Sequence, residues 1–263
     1  DTQLICSYHN YECVPSEQEL KKIVARLLKK NPAILKIAAK AQCYKDLVTL
    51  QNISNDLHAK SIPSVVLAMG EYAASQRLLS PYRDALTYTC LDQEDTAAPG
   101  QIALREYRAL QKKNTPKIFG ILGGAQVATS FSPKIHNALF ISHSIDSLYT
   151  TFPTSDLRDA WEGCTQLGVA GFSITAPWKQ EILPFLDIVQ GIAAELGSVN
   201  TVIKRDGKWV GENTDVAGIK QGYPSLRNRH HAVILGAGGV VPSVTAALKS
   251  LDVQTISVWA RRT

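Results

Sequence analysis

Between residues 130 and 215 lies a series of polar motifs in otherwise apolar sequence. They are Ser130 and Ser132 ahead of Pro133, with His136-Asn137; Thr175-Ala176-Pro177-Trp178-Lys179; Asn200-Thr201; and Asn213-Thr214-Asp215. The turn Gly236-Ala237-Gly238-Gly239 follows. Hydroxyls, amides, one lysine and one carboxylate in that order suit a pocket for a small polyhydroxylated ligand beside a nucleotide. A lysine and a carboxylate that bracket one hydroxyl can pass its proton while a hydride moves to or from the same carbon. The chemistry indicated is redox chemistry on a polyol acid. Taken alone, the pair reads equally as an aspartate helix cap and a surface lysine.

The elements that must position these groups are legible from their periodicity. Strand Val169 to Ile174 delivers Thr175 and Lys179 just past its end. Asp206-Gly207 signals a tight hairpin between strands Val199 to Lys204 and Trp209 to Glu212. Ser130 and Ser132 lie two apart in a stretch read as extended, so their hydroxyls face one way. A helix starts at Ser132-Pro133, and two hydroxyls with a free helix N-terminus make a carboxylate site. Asp215 is expected to cap the helix it opens. The glycine turn follows strand Ala232 to Leu235 and opens helix Val240 to Ser250, the context of a dinucleotide fingerprint, although Val241 stands at its third small position. Arg261 and Arg262 end strand Thr255 to Trp259, about where an acidic residue would read the ribose of NAD. Arginines there favour the 2′-phosphate of NADP.

Upstream, strands and amphipathic helices alternate four times: Leu4 to Tyr8, a helix opened by the Ser16/Glu19 capping box, Ile34 to Ala38, Tyr44 to His58, Val65 to Met69, Glu71 to Leu79, Ala85 to Tyr88 and Gln101 to Gln111. This is the rhythm of parallel α/β structure. Lys36 lies inside the second strand, with Ile34 and Ala38 on its side. A desolvated lysine there can form a Schiff base; the other reading is a lysine snorkelling at a strand edge. His9 closes the first strand, where α/β folds place their chemistry, and beside a reactive lysine it is a candidate general acid/base. Arg77 can clamp a carboxylate or lie on the surface. The Ala98-Pro99-Gly100-Gln101 turn presents an amide.

Composition narrows the classes. In 263 residues, 45% are hydrophobic and 19% charged, with a formal net charge of +5, an ordinary globular balance that fits an anionic small substrate. The lysine pairs 29–30 and 112–113 are too short for a nucleic-acid stripe, and no run approaches a membrane span, so neither nucleic acid nor membrane is an expected partner. Five cysteines without CxxC spacing read as reduced thiols in a cytoplasmic protein with no metal site. Asp1 stands almost at the start of a strand and Thr263 just after one, so both ends read as cut from a longer polypeptide. The polar, proline-containing stretch 112–117 is the expected domain boundary.

Two resemblances follow from these motifs. Ser7-Tyr8-His9-Asn10, Leu35-Lys36-Ile37-Ala38, Met69-Gly70 with Arg77, and Ala98-Pro99-Gly100-Gln101 resemble type I 3-dehydroquinate dehydratases, in order and spacing. The resemblance implies that Lys36 forms the imine with the substrate ketone and His9 moves protons. Arg77 and Gln101 would hold the substrate. Gln76 and Ala97 stand where that family commonly has serine, and only about half of its eight-stranded barrel is present. The motifs from Ser130 to Asp215 resemble shikimate dehydrogenases. That resemblance implies Ser130 and Ser132 on the shikimate carboxylate, Thr175, Asn200 and Asp215 on ring hydroxyls, and Lys179 with Asp215 as the catalytic pair. Ser173 and Gln126 replace a usual asparagine and proline.

The implied fold class is α/β. A partial (β/α) barrel (1–113) precedes an α/β substrate domain (114–226) and the start of a Rossmann-like NADP-binding domain (227–263). The implied function is consecutive: 3-dehydroquinate loses water to give 3-dehydroshikimate, which NADPH reduces to shikimate. Two alternatives stand beside it, an NAD-dependent quinate/shikimate dehydrogenase and a catalytically dead ligand-sensing module. Oligomeric state is not legible.

Overall fold

A computed structural model describes residues 3–73, 75–76, 84–91, 102–104 and 116–261. These divide into two compact units. Unit 1 holds residues 1–119, 131–152 and 158–169; unit 2 holds 120–130, 153–157 and 170–263.

Unit 1 opens with three parallel strands in the order β1 (Ile5–Asn10), β2 (Ile34–Lys40), β3 (Ser64–Met69). Helices α1 (Glu17–Leu28) and α2 (Tyr44–Ala59) make the crossovers. The Ser16 hydroxyl accepts from the Glu19 amide, so the expected cap forms. Leu35, Ile37 and Ala39 point from β2 into a core with Leu20, Leu47 and Leu50, all fully buried. On β1 the alternate residues Ile5, Ser7 and His9 are exposed, while Cys6 between them is buried.

The free edge of β3 is closed by side chains. The Gln76 amide donates to Val66 O (2.9 Å) and accepts from the Ala68 N–H (3.2 Å), as a neighbouring strand's peptide would. Asp84 Oδ1 accepts from the Val66 N–H (3.0 Å), and the Ala85 N–H donates to Ser64 O (2.7 Å). Ala85 to Tyr88 therefore departs from the expected strand: bends occupy 84–86, because a carboxylate takes the pairing that a strand would have taken. Short strands β4 (Thr89–Cys90) and β5 (Ile102–Ala103) pair in parallel instead, the second where a helix was expected to begin. Of the expected helix Glu71 to Leu79, residues 73, 75 and 76 are helical among those described.

The rest of unit 1 comprises the first residues of β6 (Lys117–Gly123), α3 (Ser132–Ser142), β7 (Ser147–Pro153) and most of α4 (Leu157–Gln166). Here α4 meets α2. Cys43, the residue ahead of α2, makes no side-chain cap. Asp159 supplies one across sequence, accepting from the Tyr44 and Lys45 N–H groups at 2.7 and 3.1 Å. Tyr44 is fully buried and packs edge-on against Tyr72 and Phe152, while Cys164 is fully buried nearby. A Cβ on Gly163 would fall 2.5 Å from the Tyr44 Cβ, so only glycine allows this approach. Ser75 also donates to Thr151 O (3.1 Å). Asn137 pairs with the Tyr149 backbone in both directions (2.9 and 2.8 Å), the same closure that Gln76 gives β3.

In unit 2, β8 (Val169–Ile174) runs antiparallel to β10 (Thr201–Arg205). β10 forms the expected hairpin with β11 (Lys208–Glu212), turned by Asp206 (φ 49°) and Gly207 (φ 79°). β11 pairs in parallel with β9 (Ile188–Val189). Short helix α5 (Ile192–Leu196) precedes β10, and α6 (Asp215–Gly222) follows the hairpin. β12 (His231–Leu235), α7 (Val241–Ser250) and β13 (Thr255–Trp259) form a parallel βαβ unit over Leu248, Leu251 and Val253.

Candidate active site

The loop after β8 is laced to the end of β6. The Thr175 N–H donates to Leu122 O (3.0 Å), the Gly124 N–H to Ala176 O (3.1 Å), and the Gln126 amide to the same Ala176 oxygen (2.7 Å). The Val199 N–H donates to Lys179 O (2.8 Å), fixing the lysine's backbone against the start of the hairpin. From that anchor Lys179 Nζ reaches Asp215 Oδ2 at 2.7 Å, with side-chain exposures of 13% and 25%. A pair this shielded is screened far less than a surface ion pair.

Asn200 organises the carboxylate. Its Nδ2 donates to Asp215 Oδ1 (2.7 Å) and to Thr214 Oγ1 (3.0 Å). Its Oδ1 accepts from the Thr201 hydroxyl (2.9 Å) and the Thr214 N–H (2.9 Å). Each Asp215 oxygen thus has a donor, and both donors come from residues singled out in the sequence. Asp215 does not cap α6: Thr214 holds the cap position without a side-chain cap bond, and Asp215 is the first helical residue. That place points its carboxylate at the positive end of the helix.

Ser130 ends a 3-10 turn (Ala125–Thr129) in unit 2, whereas Ser132 is the first residue of α3 in unit 1. Phe131 between them is helical (φ −76°, ψ −12°), not extended. The alternation expected to aim both hydroxyls one way is therefore absent: α3 begins at Ser132 as expected, with Pro133 in its first turn, but Phe131 at its cap position already has helical angles.

The glycine turn is open. No atom lies within 4 Å of a Cβ built on Gly236, Gly238 or Gly239, and Gly236 holds φ +117°. Gly236, Ala237, Gly238 and Gly239 are exposed; in α7 the Val241 N–H is taken by Gly238 O (3.0 Å) and Pro242 has no N–H, so the exposed glycine turn, rather than the helix's first amides, is what an anionic group can approach. These features fit a dinucleotide's phosphates. Arg261 is exposed two residues beyond β13; Arg262 lies outside the described residues.

In unit 1, Lys36 is half-buried beside the cluster Ala38, Val65 and Leu67, on the face expected. Its Nζ lies 4.1 Å from the centroid of the Tyr88 ring, a cation–π contact not foreseen. Lys36 pairs with Ser7 in register and His9 with Ala38, which puts His9 two residues further along the same face. His9 is exposed and stacks on Tyr11 (6.1 Å between centroids). Arg77 and Gln101 lie outside the described residues. Among those described, no His/Cys/Asp/Glu group could hold a metal, no helix is long and apolar enough to cross a membrane, and the five cysteines are free.

Sequence reasoning missed two members of the unit 2 network, Asn213 and Ser243. Asn213 Nδ2 donates to Ser198 O and to Ser243 Oγ, both at 2.9 Å, in a buried setting. Asn213 was visible as part of a motif, but its partner lies 30 residues away on another helix.

The fold and site define an α/β chain with two segments, one carrying a strand lysine and the other a lysine–carboxylate pair ahead of an open glycine turn. Residues 1–113 match the family model of type I 3-dehydroquinase, and residues 122–202 that of the shikimate dehydrogenase substrate binding domain. The chain thus joins a segment matching type I 3-dehydroquinase to a segment matching the shikimate dehydrogenase substrate binding domain in one polypeptide. It is 33% identical over 262 residues to a bifunctional 3-dehydroquinate dehydratase/shikimate dehydrogenase, chloroplastic, of Arabidopsis thaliana, covering 97% of this chain and 42% of that protein. It is 36% identical over 138 residues to a shikimate dehydrogenase (NADP(+)) of Pyrococcus abyssi, covering 51% of this chain and 52% of that protein. Among solved structures, quinate dehydrogenase from Corynebacterium glutamicum in complex with NAD matches with a TM-score of 0.50 and 33% identity, over 56% of each chain. The chain thus spans about half the length of the relatives it matches, or less.

Proposed function

We propose that residues 114–263 belong to an NADPH-dependent dehydrogenase that reduces 3-dehydroshikimate to shikimate, and that residues 1–113 belong to the dehydratase that makes its substrate. The observation that carries the reading is the Lys179–Asp215 pair at 2.7 Å, with Asn200 on the second carboxylate oxygen. The substrate carbonyl lies against this pair. When bound, a dinucleotide would supply the hydride, and Gly236 to Gly239 would hold its phosphates. Lys179 donates a proton to the carbonyl oxygen as it becomes a hydroxyl, and Asp215 holds the lysine in place and takes a hydrogen bond from that hydroxyl. Ser130 and Ser132 bind the substrate carboxylate; Thr175 and Asn200 bind ring hydroxyls. In the dehydratase segment Lys36 forms the imine, His9 relays protons, and Arg77 and Gln101 hold the substrate. The partners are these small molecules, and the compartment is the cytoplasm.

The test is shikimate-dependent reduction of NADP+ by the whole polypeptide. Activity that survives Lys179→Ala and Asp215→Asn unchanged would defeat the reading. For the other segment, borohydride with 3-dehydroquinate should add the reduced adduct's mass at Lys36; no adduct would favour a ligand-sensing role there. The likeness to an NAD-bound quinate dehydrogenase supports a second reading, an NAD-dependent quinate/shikimate dehydrogenase. Faster turnover with NAD and quinate than with NADP+ and shikimate would select it, against Arg261 and Arg262.

A further inference from the structure

Asn213 belongs to a motif whose only assigned member is Asp215, and its side chain is 7% exposed. An asparagine amide has two N–H donors and one carbonyl acceptor. All three functions are in use. The Nδ2 hydrogens go to Ser198 O and Ser243 Oγ, and Oδ1 accepts from the Asp215 N–H at 3.1 Å. The orientation of the amide is fixed by chemistry: Ser198 O can only accept and the Asp215 N–H can only donate. Turning the amide over would set oxygen against oxygen and N–H against N–H.

The two ends of this bridge matter. The Asp215 N–H is one of the first-turn donors of α6 that the helix cannot satisfy itself. Thr214, at the cap position, spends its hydroxyl on Asn200 and makes no side-chain cap bond, so Asn213 does the capping from one residue further back. Ser243 is fully buried and is the third residue of α7, the helix opened by the glycine turn. Ser198, also fully buried, lies two residues before Asn200, whose amide holds the Asp215 carboxylate. A buried polar network of this kind stabilises one arrangement only while every member is satisfied.

We propose that Asn213 is a positioning residue that ties the nucleotide helix α7, through Ser243, to the backbone of Asp215, so that dinucleotide and polyol acid bind cooperatively. The proposal rests on the dehydrogenase reading of the site. An anionic group drawn to the exposed glycine turn that opens α7 settles the helix on Ser243. Ser243 then holds the Asn213 amide, which holds the first turn of α6 and the aim of its carboxylate. By linkage the effect runs both ways and by the same factor.

The test uses Ser243→Ala, which removes one buried acceptor, against Ser250→Ala, whose hydroxyl only reaches back to Ala247 O on the same helix. In the whole chain, Ser243→Ala should weaken shikimate binding, measured by calorimetry, about five- to tenfold, as expected when a buried donor is left unpaired. It should also remove the gain in shikimate affinity produced by NADP+, speed exchange of the Asp215 amide hydrogen and move the Asp215 carboxyl carbon resonance. Ser250→Ala should do none of these. Asn213→Ala should match Ser243→Ala or exceed it. If Ser243→Ala and Ser250→Ala give the same Asp215 exchange and the same carbon resonance, the proposal is wrong. That arm needs no ligand: unmutated chain that ignores shikimate would sink the functional reading, while the exchange data would still decide the bridge.

Discussion

Each unit presents a lysine suited to chemistry, and the surroundings of the two differ in kind. Lys179 meets a carboxylate whose other oxygen is held by Asn200, which is held by Thr201 and Thr214, while Asn213 steadies the same turn from beneath. Lys36 rises from a strand onto the face of Tyr88, and the histidine on its side of the sheet is exposed. Unit 2 uses its buried amides to aim a charge. Unit 1 uses its polar side chains to complete backbone pairing: Gln76 and Asp84 along β3, Asn137 along β7, and Asp159 as the cap of α2. Both uses obey one rule, that buried polar groups must be paired.

The largest effect should come from breaking the aimed pair. In the whole polypeptide, Lys179→Ala is expected to lower the turnover number for shikimate about 10²- to 10⁴-fold, the usual share of a positioned acid or base, while shifting shikimate affinity far less. Steady-state kinetics with calorimetry separates the two; an unchanged turnover number removes Lys179 from the chemistry. Next is the edge of β3. Gln76→Leu leaves Val66 O and the Ala68 N–H without their partner in a fully buried place, at about 1–3 kcal/mol for each orphaned group. Urea unfolding of unit 1 should shift accordingly, with Ala68 exchange accelerated, while the Asp215 resonances of unit 2 hold still. Movement in unit 2 would show that the two uses of polar side chains are not independent.

A smaller effect is expected where α4 meets α2. Gly163→Ala forces a Cβ to within 2.5 Å of the Tyr44 Cβ, with the Tyr44 backbone at 3.0 Å behind it. Overpacking of this sort costs about 1–3 kcal/mol. Burial pushes the Cys164 thiol well up and shields it, so a thiol reagent should label exposed Cys13 at once and Cys164 only after unfolding. In Gly163→Ala, Cys164 should label under native conditions. Continued protection would mean that α4 tolerates the side chain and that the close approach is incidental.

Local rules carried the sequence reading a long way. The Ser16 cap, the Asp206-Gly207 hairpin, and strands Val169–Ile174 and Thr255–Trp259 all follow from signals within a few residues of one another. The Lys179, Asn200 and Asp215 cluster was legible because three motifs pointed to one ligand. What failed was long-range. Ala85 to Tyr88 has strand composition, yet Asp84 takes its pairing with β3. Ser130 and Ser132 read as extended, yet Phe131 is already helical. Nothing near Tyr44 in sequence announces Asp159, 115 residues on, nor does anything near Asn213 announce Ser243. A hydrogen bond between distant segments leaves no period and no local composition to read.

The finest test of the comparison concerns His136, a titratable group among those that complete unit 1. It stacks on Tyr149 (4.1 Å between centroids, 8° between planes), next to the Asn137 that closes β7. Burial lowers its pKa from the ordinary 6.5, because the cation is less well solvated there than in water. The folded state therefore takes up its proton at lower pH than the unfolded chain does. Stability linked to this group is fully present above 6.5 and is lost as the pH falls through the lowered folded value. Between pH 7.5 and 5, the unfolding midpoint of unit 1 should fall in the parent chain and fall less in His136→Phe, which keeps the stack and cannot take a proton. Equal pH slopes in the two proteins would mean that the stack carries no titrating strain. Unit 1's polar groups would then act only by pairing, and charge would matter in unit 2 alone.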